Sequence, residues 1–176
     1  SSTGDTQIAM NFAGVFNAPV VFVCENNQYA ISVPKKRQTA AQTIAQKAIA
    51  YGISGIQVDG NDVLAVFSAA QAAIENARGG KGPTLIECKT YRFQGHHPGD
   101  PNRGLRYRTK EEIAEWMARD PIKLLEEKLL KASLVEEGDI AEMEHEAACQ
   151  IEDAITFAKA SPFPRPEDAL LDVFAL

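Results

Sequence analysis

Apolar and polar residues follow two periods along the first ninety residues, one typical of helices and the other of strands. Helices are predicted over residues 3–16, over 39–51 up to Gly52, and from 61–62 to the glycine pair at 79–80. Short apolar runs predict strands at 20–24, 55–60 and 83–90. Strands and helices in this order indicate βαβ units. We therefore predict an α/β fold in which helices flank a parallel sheet.

The pattern changes after residue 90. Residues 91–108 are rich in Gly, Pro, Arg and His and have no periodicity, which is typical of a functional loop. Thr109 and Glu112 fit a capping box, the predicted start of a helical tail over 109–160. The prolines of SPFPRPED predict an extended arm over 161–176. The predicted divisions are therefore 1–108, 109–160 and 161–176.

Charge is distributed unevenly along the 176 residues. The net charge of −6 argues against a general nucleic-acid binder. Residues 89–108 nevertheless carry five basic side chains against the single acid Asp100, a local charge of +4. This basic segment in an acidic chain predicts a localised anion site.

Cysteine usage and hydropathy bear on the compartment. The three cysteines are far apart and lack metal-binding spacing, so we expect reduced thiols in a cytoplasmic or matrix-like compartment. The sequence shows no apolar run of membrane-span length and no visible signal peptide.

Two adjacent asparagines, Asn26 and Asn27, follow the first predicted strand. Ligands of open α/β sheets bind just beyond the carboxyl ends of the strands, and an amide oxygen is a hard ligand suited to Mg²⁺ or Ca²⁺. By itself the pair is weak evidence for a site, because Asn is common in simple loops. The residues alone leave both interpretations open.

Two adjacent histidines, His96 and His97, lie among arginines in the 91–108 loop. Protonated His and Arg present N–H donors that can hold a diphosphate or a carboxylate. A histidine in a loop is also often merely solvated, so this pattern too allows two interpretations.

A resemblance to a known family favours the functional interpretation of both motifs. The stretch STGDTQIAMNFAGVFNAPVVFVCENNQYAIS resembles the second half of the thiamine diphosphate motif, which opens with Gly-Asp-Gly and closes with Asn-Asn. Together with QTAAQTIAQKAIAYGISGIQVDGND, YRFQGHHPGDPNRGLRYRTKEEI and ARDPI, it is similar to the alpha subunit of the thiamine-dependent 2-oxo acid dehydrogenase component. The resemblance covers essentially the whole chain. It implies the C-terminal half of such a subunit, with part of a thiamine diphosphate-binding (pyrophosphate-type) fold.

The resemblance also assigns roles to residues. It implies that Asn27 and the backbone carbonyl of Tyr29 ligate Mg²⁺, with Asn26 in support. It places Arg92 and His96 at the cofactor, with His96 assisting acyl transfer to the lipoyl group. The carboxylate ligand of the family comes from Gly-Asp-Gly, a triplet that the sequence lacks. Asp5 does not replace it by position, so we expect the chain alone to bind thiamine diphosphate weakly or not at all.

The implied activity is decarboxylation of a 2-oxo acid, most simply pyruvate, followed by acyl transfer to lipoamide. The implied partners are a beta subunit, which supplies the glutamate that activates the cofactor and completes an α2β2 heterotetramer, and a dihydrolipoyl acyltransferase. We expect no nucleic-acid or membrane partner. The bacterial cytoplasm is favoured over the mitochondrial matrix. His97 stands where mitochondrial relatives have a regulatory serine, so kinase control at this position is not expected.

Three alternatives remain at this point. The chain could be a non-catalytic assembly module that keeps the fold without the cofactor. It could come from an acetoin or branched-chain 2-oxo acid dehydrogenase. A transketolase-like or synthase-type thiamine enzyme is the third alternative, against which the YRxxxH loop argues.

Overall fold

The computed structural model describes residues 3–100 and 104–171. Three parallel strands form its main sheet, in the order β1 (Val21–Asn26), β5 (Thr84–Lys89), β4 (Ser54–Asp59). Two short strands, β2 (Tyr29–Ala30) and β3 (Val33–Pro34), pair antiparallel in a hairpin after β1. The α/β prediction with a parallel sheet is therefore confirmed.

Helices flank and follow the sheet. The α-helices are α1 (Gly4–Val15), α2 (Val63–Arg78), α3 (Lys110–Met117), α4 (Pro121–Lys131) and α5 (Glu137–Ala160). Short 3₁₀ helices span Lys35–Arg37, Ala45–Tyr51 and Pro166–Leu170. The carboxylate of Asp62 caps α2 by accepting from the backbone N–H groups of Leu64 and Ala65, as its sequence position predicts.

The central strand β5 divides the core into two layers, because successive side chains of a strand point to opposite faces. Leu85 packs on one face with residues of α1 and of the 3₁₀ helix, including Met10 and Ala48. Ile86 and Cys88 pack on the other face, against α2. All but the last residue of β5 are buried, as expected of a strand covered on both faces.

Several elements differ from the sequence predictions. Instead of a helix over 39–51, the structure has an irregular segment followed by the 3₁₀ helix Ala45–Tyr51, whose first N–H donates to the side chain of Glu87. The segment predicted as extended from residue 161 includes the 3₁₀ helix Pro166–Leu170; proline is compatible with a first helical turn, where its missing N–H costs nothing. The end of that predicted arm, 172–176, lies outside the described residues.

Most of the apolar side chains at helical spacing that predict α1 do not build the core: of Ile8, Phe12, Ala13 and Phe16, only Ala13 is buried. Ile8 and Phe12 are more than half exposed, while Met10 and Ala13 are buried. The helix is thus present as predicted, but its small and flexible residues face the sheet.

The chain divides into two compact units, residues 1–127 and 128–176. The first contains the sheet, α1 to α3 and most of α4. The second contains α5 and the last 3₁₀ helix. Helix α3 therefore lies in the same compact unit as the sheet.

Within the described residues, no helix combines the length and the apolar character that a membrane crossing needs.

Candidate functional site at the carboxyl edge of the sheet

The three parallel strands end level with one another. Asn26 of β1 and Asp59 of β4 are both in register with Lys89 of β5. Strand β1 runs two residues further than predicted and includes Asn26. The Asn-Asn pair therefore lies at the edge where α/β sheets bind ligands.

A tight turn follows β1 and is held by its own amide side chains. The Asn26 side-chain oxygen accepts from the N–H of Gln28 at 3.2 Å, and the Gln28 side chain donates to the Asn26 carbonyl at 2.9 Å. The Asn27 side-chain oxygen accepts from the N–H of Tyr29 at 3.2 Å. Gln28 adopts a left-handed conformation, with φ of 72°. We call residues 26–29 the amide turn; its side chains stabilise a backbone shape that a glutamine rarely adopts.

A buried carboxylate lies behind the amide turn. Glu87 of β5 accepts from the Asn26 side-chain amide at 2.5 Å and from the Ala45 N–H at 2.9 Å. Its side chain is completely buried. The carboxylate therefore links the amide turn to the start of the 3₁₀ helix.

A cavity of about 540 Å³ opens beside the amide turn and is lined by both predicted metal ligands, Asn27 and Tyr29. An amide oxygen and a backbone carbonyl are neutral, hard donors of the kind that Mg²⁺ accepts. Among the described residues, Lys35, Lys47 and the single carboxylate Glu25 also line the cavity, and the net positive charge of this lining favours an anion there. The donor set thus fits part of a magnesium–diphosphate site. Within residues 3–100 and 104–171, no group of three or more His, Cys, Asp or Glu side chains is arranged to hold a metal.

The Tyr29 side chain points away to α3. Its hydroxyl donates to the Glu112 carboxylate at 2.9 and 3.1 Å. Burial raises the pKa of the Tyr29 hydroxyl, and the hydrogen bond to Glu112 raises that pKa further. Because Glu112 is used in this way, only the Thr109 half of the predicted capping box is formed, with the Thr109 hydroxyl accepting from the Glu112 N–H at 3.1 Å.

Aromatic rings join the hairpin to the segment that follows β5. Tyr29 packs edge-on against Tyr91 and at a tilt against Tyr107, with ring centroids 6.1 and 5.6 Å apart. Tyr91 stacks in turn on Trp116 of α3, at 5.3 Å. These contacts are the physical reason that α3 belongs to the first unit.

Arg108 organises the 91–108 loop. This arginine is 5% exposed, and its guanidinium donates to the backbone carbonyls of Arg92, Phe93 and Gln94. It also lies over the Tyr91 and Tyr107 rings, 5.3 and 5.7 Å from their centroids. The start of the loop therefore wraps around one buried cation.

The predicted residues Arg92 and His96 lie together in this loop. One Arg92 nitrogen is 3.4 Å from the His96 ring, and another donates to the Ile31 carbonyl at 2.6 Å and to the Tyr107 hydroxyl at 3.1 Å. Asp100 accepts from the His96 N–H at 2.9 Å and from Tyr107 at 2.5 Å. These two bonds, that from Tyr107 first, lower the pKa of Asp100. Residues 101–103 of the predicted loop lie outside the described residues.

The predicted site residues thus lie in two separate places in the structure. Asn27 and Tyr29 line one cavity, while His96 lines another of about 410 Å³ with Ile31 and Tyr107. The β2–β3 hairpin connects them, because Arg92 is bonded to its tip.

Sequence reasoning missed Glu87 and Glu112 as parts of this site. Glu87 gave one signal, since an acidic residue within the apolar strand TLIECK needs a partner when it is buried. Glu112 gave none, because its position in a helical first turn already had a local explanation.

The family model and the similar proteins agree on one family. The family model described as "Dehydrogenase E1 component" matches residues 1–167. The alpha subunit of the Bacillus subtilis acetoin:2,6-dichlorophenolindophenol oxidoreductase is 41% identical over 175 residues, 99% of this chain and 51% of that protein. The alpha subunit of the Staphylococcus aureus pyruvate dehydrogenase E1 component is 54% identical over 122 residues, 69% of this chain and 33% of that protein. That of Porphyra purpurea is 40% identical over 166 residues, 94% of this chain and 47% of that protein.

The matched segments thus span about a third to a half of the length of these relatives. Taken with the parallel sheet and the amide turn at its carboxyl edge, the match over residues 1–167 shows that the chain belongs to the dehydrogenase E1 component family.

Proposed function

We propose that the chain is part of the alpha subunit of a thiamine diphosphate-dependent 2-oxo acid dehydrogenase, with pyruvate as its substrate and lipoamide as its acyl acceptor. The observation that carries the proposal is the amide turn, which brings Asn27 and Tyr29 to one cavity at the carboxyl edge of the sheet. The 54% identity to a pyruvate dehydrogenase alpha subunit supports this substrate.

In this proposal the Asn27 side-chain oxygen and the Tyr29 carbonyl would hold Mg²⁺, which offsets the charge of the cofactor diphosphate. Thiamine diphosphate, when bound, supplies the nucleophilic carbon and the electron sink that decarboxylation of a 2-oxo acid requires. The amide turn contributes geometry, because it fixes both oxygens before a ligand arrives. The positive charges of Lys35 and Lys47 favour an anionic ligand in the same cavity.

His96 is proposed to reach the cofactor and to assist acyl transfer from the 91–108 loop. Its position supports this role, because it is exposed and its backbone is tied to Asp100. Arg92 is proposed to bind at the cofactor as well. Its contacts support a positioning role beside that, since its guanidinium already bonds the hairpin and Tyr107.

The proposed partners are a beta subunit, in an α2β2 assembly, and a dihydrolipoyl acyltransferase. The word "alpha" in the names of the relatives supports a second kind of subunit. We also propose the bacterial cytoplasm as the compartment, since Cys24, Cys88 and Cys149 are all free thiols.

The test is Asn27→Ala in the full-length alpha subunit assembled with its beta subunit. Losing a metal ligand is expected to weaken thiamine diphosphate binding in Mg²⁺ by more than the roughly 10- to 100-fold typical of losing a supporting partner. Calorimetry measures the affinity, and the exposed Asn11→Ala in α1 is the matched control. Equal affinities of the two variants would contradict the proposal.

Acetoin oxidation is the second candidate activity. It is favoured by the acetoin:dichlorophenolindophenol oxidoreductase subunit, whose similarity covers 99% of this chain. Reduction of the dye by the assembled enzyme with either pyruvate or acetoin separates the two substrates. Turnover of acetoin alone would replace pyruvate in the proposal.

A non-catalytic module is the alternative from another class. Calorimetry on the unmodified full-length assembly decides it, because an inert module gives no binding heat with thiamine diphosphate and Mg²⁺. A binding isotherm would exclude that alternative.

A further inference from the structure

Glu87 is an uncommon residue for the place it occupies. It lies in the central strand β5 with 0% of its surface exposed, between the apolar residues Ile86 and Cys88. Carboxylates are rarely buried to this degree unless their oxygens are hydrogen-bonded. A shorter polar residue or an apolar one would fill this position at lower cost, so the carboxylate invites a functional explanation.

The two oxygens of Glu87 have different partners. One accepts from the Asn26 side-chain amide at 2.5 Å, and the other accepts from the Ala45 N–H at 2.9 Å. Both partners lie more than forty positions away in the sequence. The Asn26 side-chain nitrogen and the Ala45 N–H both donate at these contacts, so both Glu87 oxygens act as acceptors.

This arrangement fixes which way round the Asn26 amide lies. Since the Gln28 backbone N–H can only donate, the Asn26 side-chain oxygen must face it, at 3.2 Å, and the Asn26 nitrogen therefore faces Glu87. That bond helps to keep Gln28 at φ of 72°. The residues on either side of Gln28 are Asn27 and Tyr29, whose oxygens are the proposed magnesium ligands.

We propose that Glu87 is a positioning residue for magnesium binding, acting through the orientation of the Asn26 amide. The inference rests on the proposed function, since it concerns the same metal. Glu87 itself does not touch the ligand; it acts by holding the amide turn in the shape that aims both oxygens at the cavity.

Glu87→Gln tests this with a change of a single functional group. Glutamine has one acceptor oxygen and one donor nitrogen, so it can satisfy Ala45 only by turning its nitrogen toward Asn26. The Asn26 amide must then turn over, which sets its nitrogen against the Gln28 N–H. We expect Mg²⁺ affinity to fall by roughly 10- to 100-fold, as when other supporting partners of metal ligands are removed.

Asn26→Asp on the Glu87→Gln background should restore the turn. In this double variant, one oxygen of the carboxylate at position 26 accepts from the side-chain nitrogen at position 87. The other oxygen accepts from the Gln28 N–H. The double variant has the formal charge of the unmodified protein. We expect its Mg²⁺ affinity to return to within about three-fold of the unmodified protein, a difference of less than the 1.4 kcal/mol that makes ten-fold.

A control separates this rescue from a simple gain of negative charge. Thr6→Asp on the Glu87→Gln background adds a carboxylate to the same cavity from α1, where Thr6 lines it, without a bond to the amide introduced in β5. It should not restore the affinity. Glu115→Gln, an exposed carboxylate on α3, controls for the loss of one charge.

The measurement is a titration with Mn²⁺ as a paramagnetic probe, with Mg²⁺ as competitor, on the full-length alpha–beta assembly at saturating thiamine diphosphate. Thermal unfolding of each variant is measured in parallel, and the unfolding curve gives the fraction that is folded at the temperature of the titration. Unchanged metal affinity in folded Glu87→Gln, or equal rescue by Thr6→Asp, would overturn the inference. If the unmodified assembly itself bound no metal with the cofactor, the proposed function would fail instead.

Discussion

At the scale of single residues, Arg108 does more for the candidate site than its place in a loop indicates. Its buried guanidinium serves three consecutive carbonyls just before His96 and packs on two tyrosine rings. A planar cation with five donors can do this, whereas the single ammonium of lysine cannot reproduce its geometry. The position of His96 therefore depends on a residue at the far end of the loop.

Arg108→Met should destabilise the first unit and loosen the 91–108 loop. The substitution leaves the carbonyls of Arg92, Phe93 and Gln94 without this donor, at a cost of roughly 1–3 kcal/mol for each one that water does not reach. Urea unfolding measures the loss, and limited proteolysis within the loop measures its order. Arg106→Met, an exposed arginine of the same loop, should change neither.

The ionisation of the Tyr29 hydroxyl makes the free energy of unfolding depend on pH in the alkaline range. Its folded-state pKa is raised above the ordinary value of 10.0, so the folded chain holds the proton more tightly than the unfolded chain does. The stabilisation is therefore fully present below about pH 10 and is lost as the pH rises further toward the folded-state pKa.

Tyr29→Phe should accordingly lower the free energy of unfolding near pH 8, by roughly the 1.5–3 kcal/mol of a hydrogen bond to a charged group. The difference from the unmodified chain should shrink above pH 10. Urea titrations at a series of pH values measure it. A difference that stays constant through this range would show that Tyr29 ionises alike in both states.

At the scale of elements, two glycines decide how closely the 3₁₀ helix Ala45–Tyr51 approaches its neighbours. A Cβ at Gly55 of β4 would lie 2.2 Å from the Ala45 carbonyl oxygen, and one at Gly14 of α1 would lie 2.4 Å from that of Tyr51. Both obstacles are backbone atoms, which cannot move aside as a flexible side chain can. The backbone of this 3₁₀ helix therefore lies directly against the Cα atoms of Gly55 in β4 and Gly14 in α1.

Gly55→Ala should push this 3₁₀ helix away from the sheet. Overpacking of this kind typically costs about 1–3 kcal/mol, and the backbone position of the obstacle favours the upper end. The measurement is the free energy of unfolding in urea. Gly138→Ala is the matched control, because nothing lies within 4 Å of that position in α5 and alanine is the better helix former there. Equal stability of the two variants would contradict the expected clash.

At the scale of the whole molecule, the proposed metal donors of this chain form an incomplete set. Asn27 and Tyr29 offer neutral oxygens, while Mg²⁺ in proteins is usually held through at least one carboxylate together with phosphate oxygens. The sequence has no Gly-Asp-Gly triplet to supply that carboxylate, and the matched relatives are two to three times longer than the segments they share with it.

The 176-residue chain should therefore respond weakly to thiamine diphosphate and Mg²⁺ when tested alone. When thiamine diphosphate is present at 100 times the Kd of the full-length alpha–beta assembly, binding raises the stability of that assembly by about 2.7 kcal/mol. A chain whose Kd is higher than this ligand concentration gains less than about 0.4 kcal/mol of stability. Thermal unfolding with and without both ligands measures the two gains. A comparable gain in the 176-residue chain would show that its own residues complete the site.

The sequence alone determined the fold class and the strand end at which the candidate site was sought, because both depend on local patterns. Alternating strand and helix periods predicted the parallel sheet, and the register of the strands confirmed it. The change from apolar residues to Asn26 and Asn27 marked the end of β1 correctly to within two residues. The roles of Asn27, Tyr29, Arg92 and His96 came from the family resemblance and remain predictions.

Only the tertiary structure decided which side chains support one another. Glu87 meets Asn26 and Ala45, and Glu112 meets Tyr29, across separations of 42 to 83 residues, and a single sequence does not indicate which distant residues become partners. The segment 39–51 has helical periodicity, yet only its second part is helical, as the 3₁₀ helix Ala45–Tyr51 whose first N–H is bonded to a strand side chain. Periodicity reports which residues can be buried together, whereas the packing of distant elements determines which of them are.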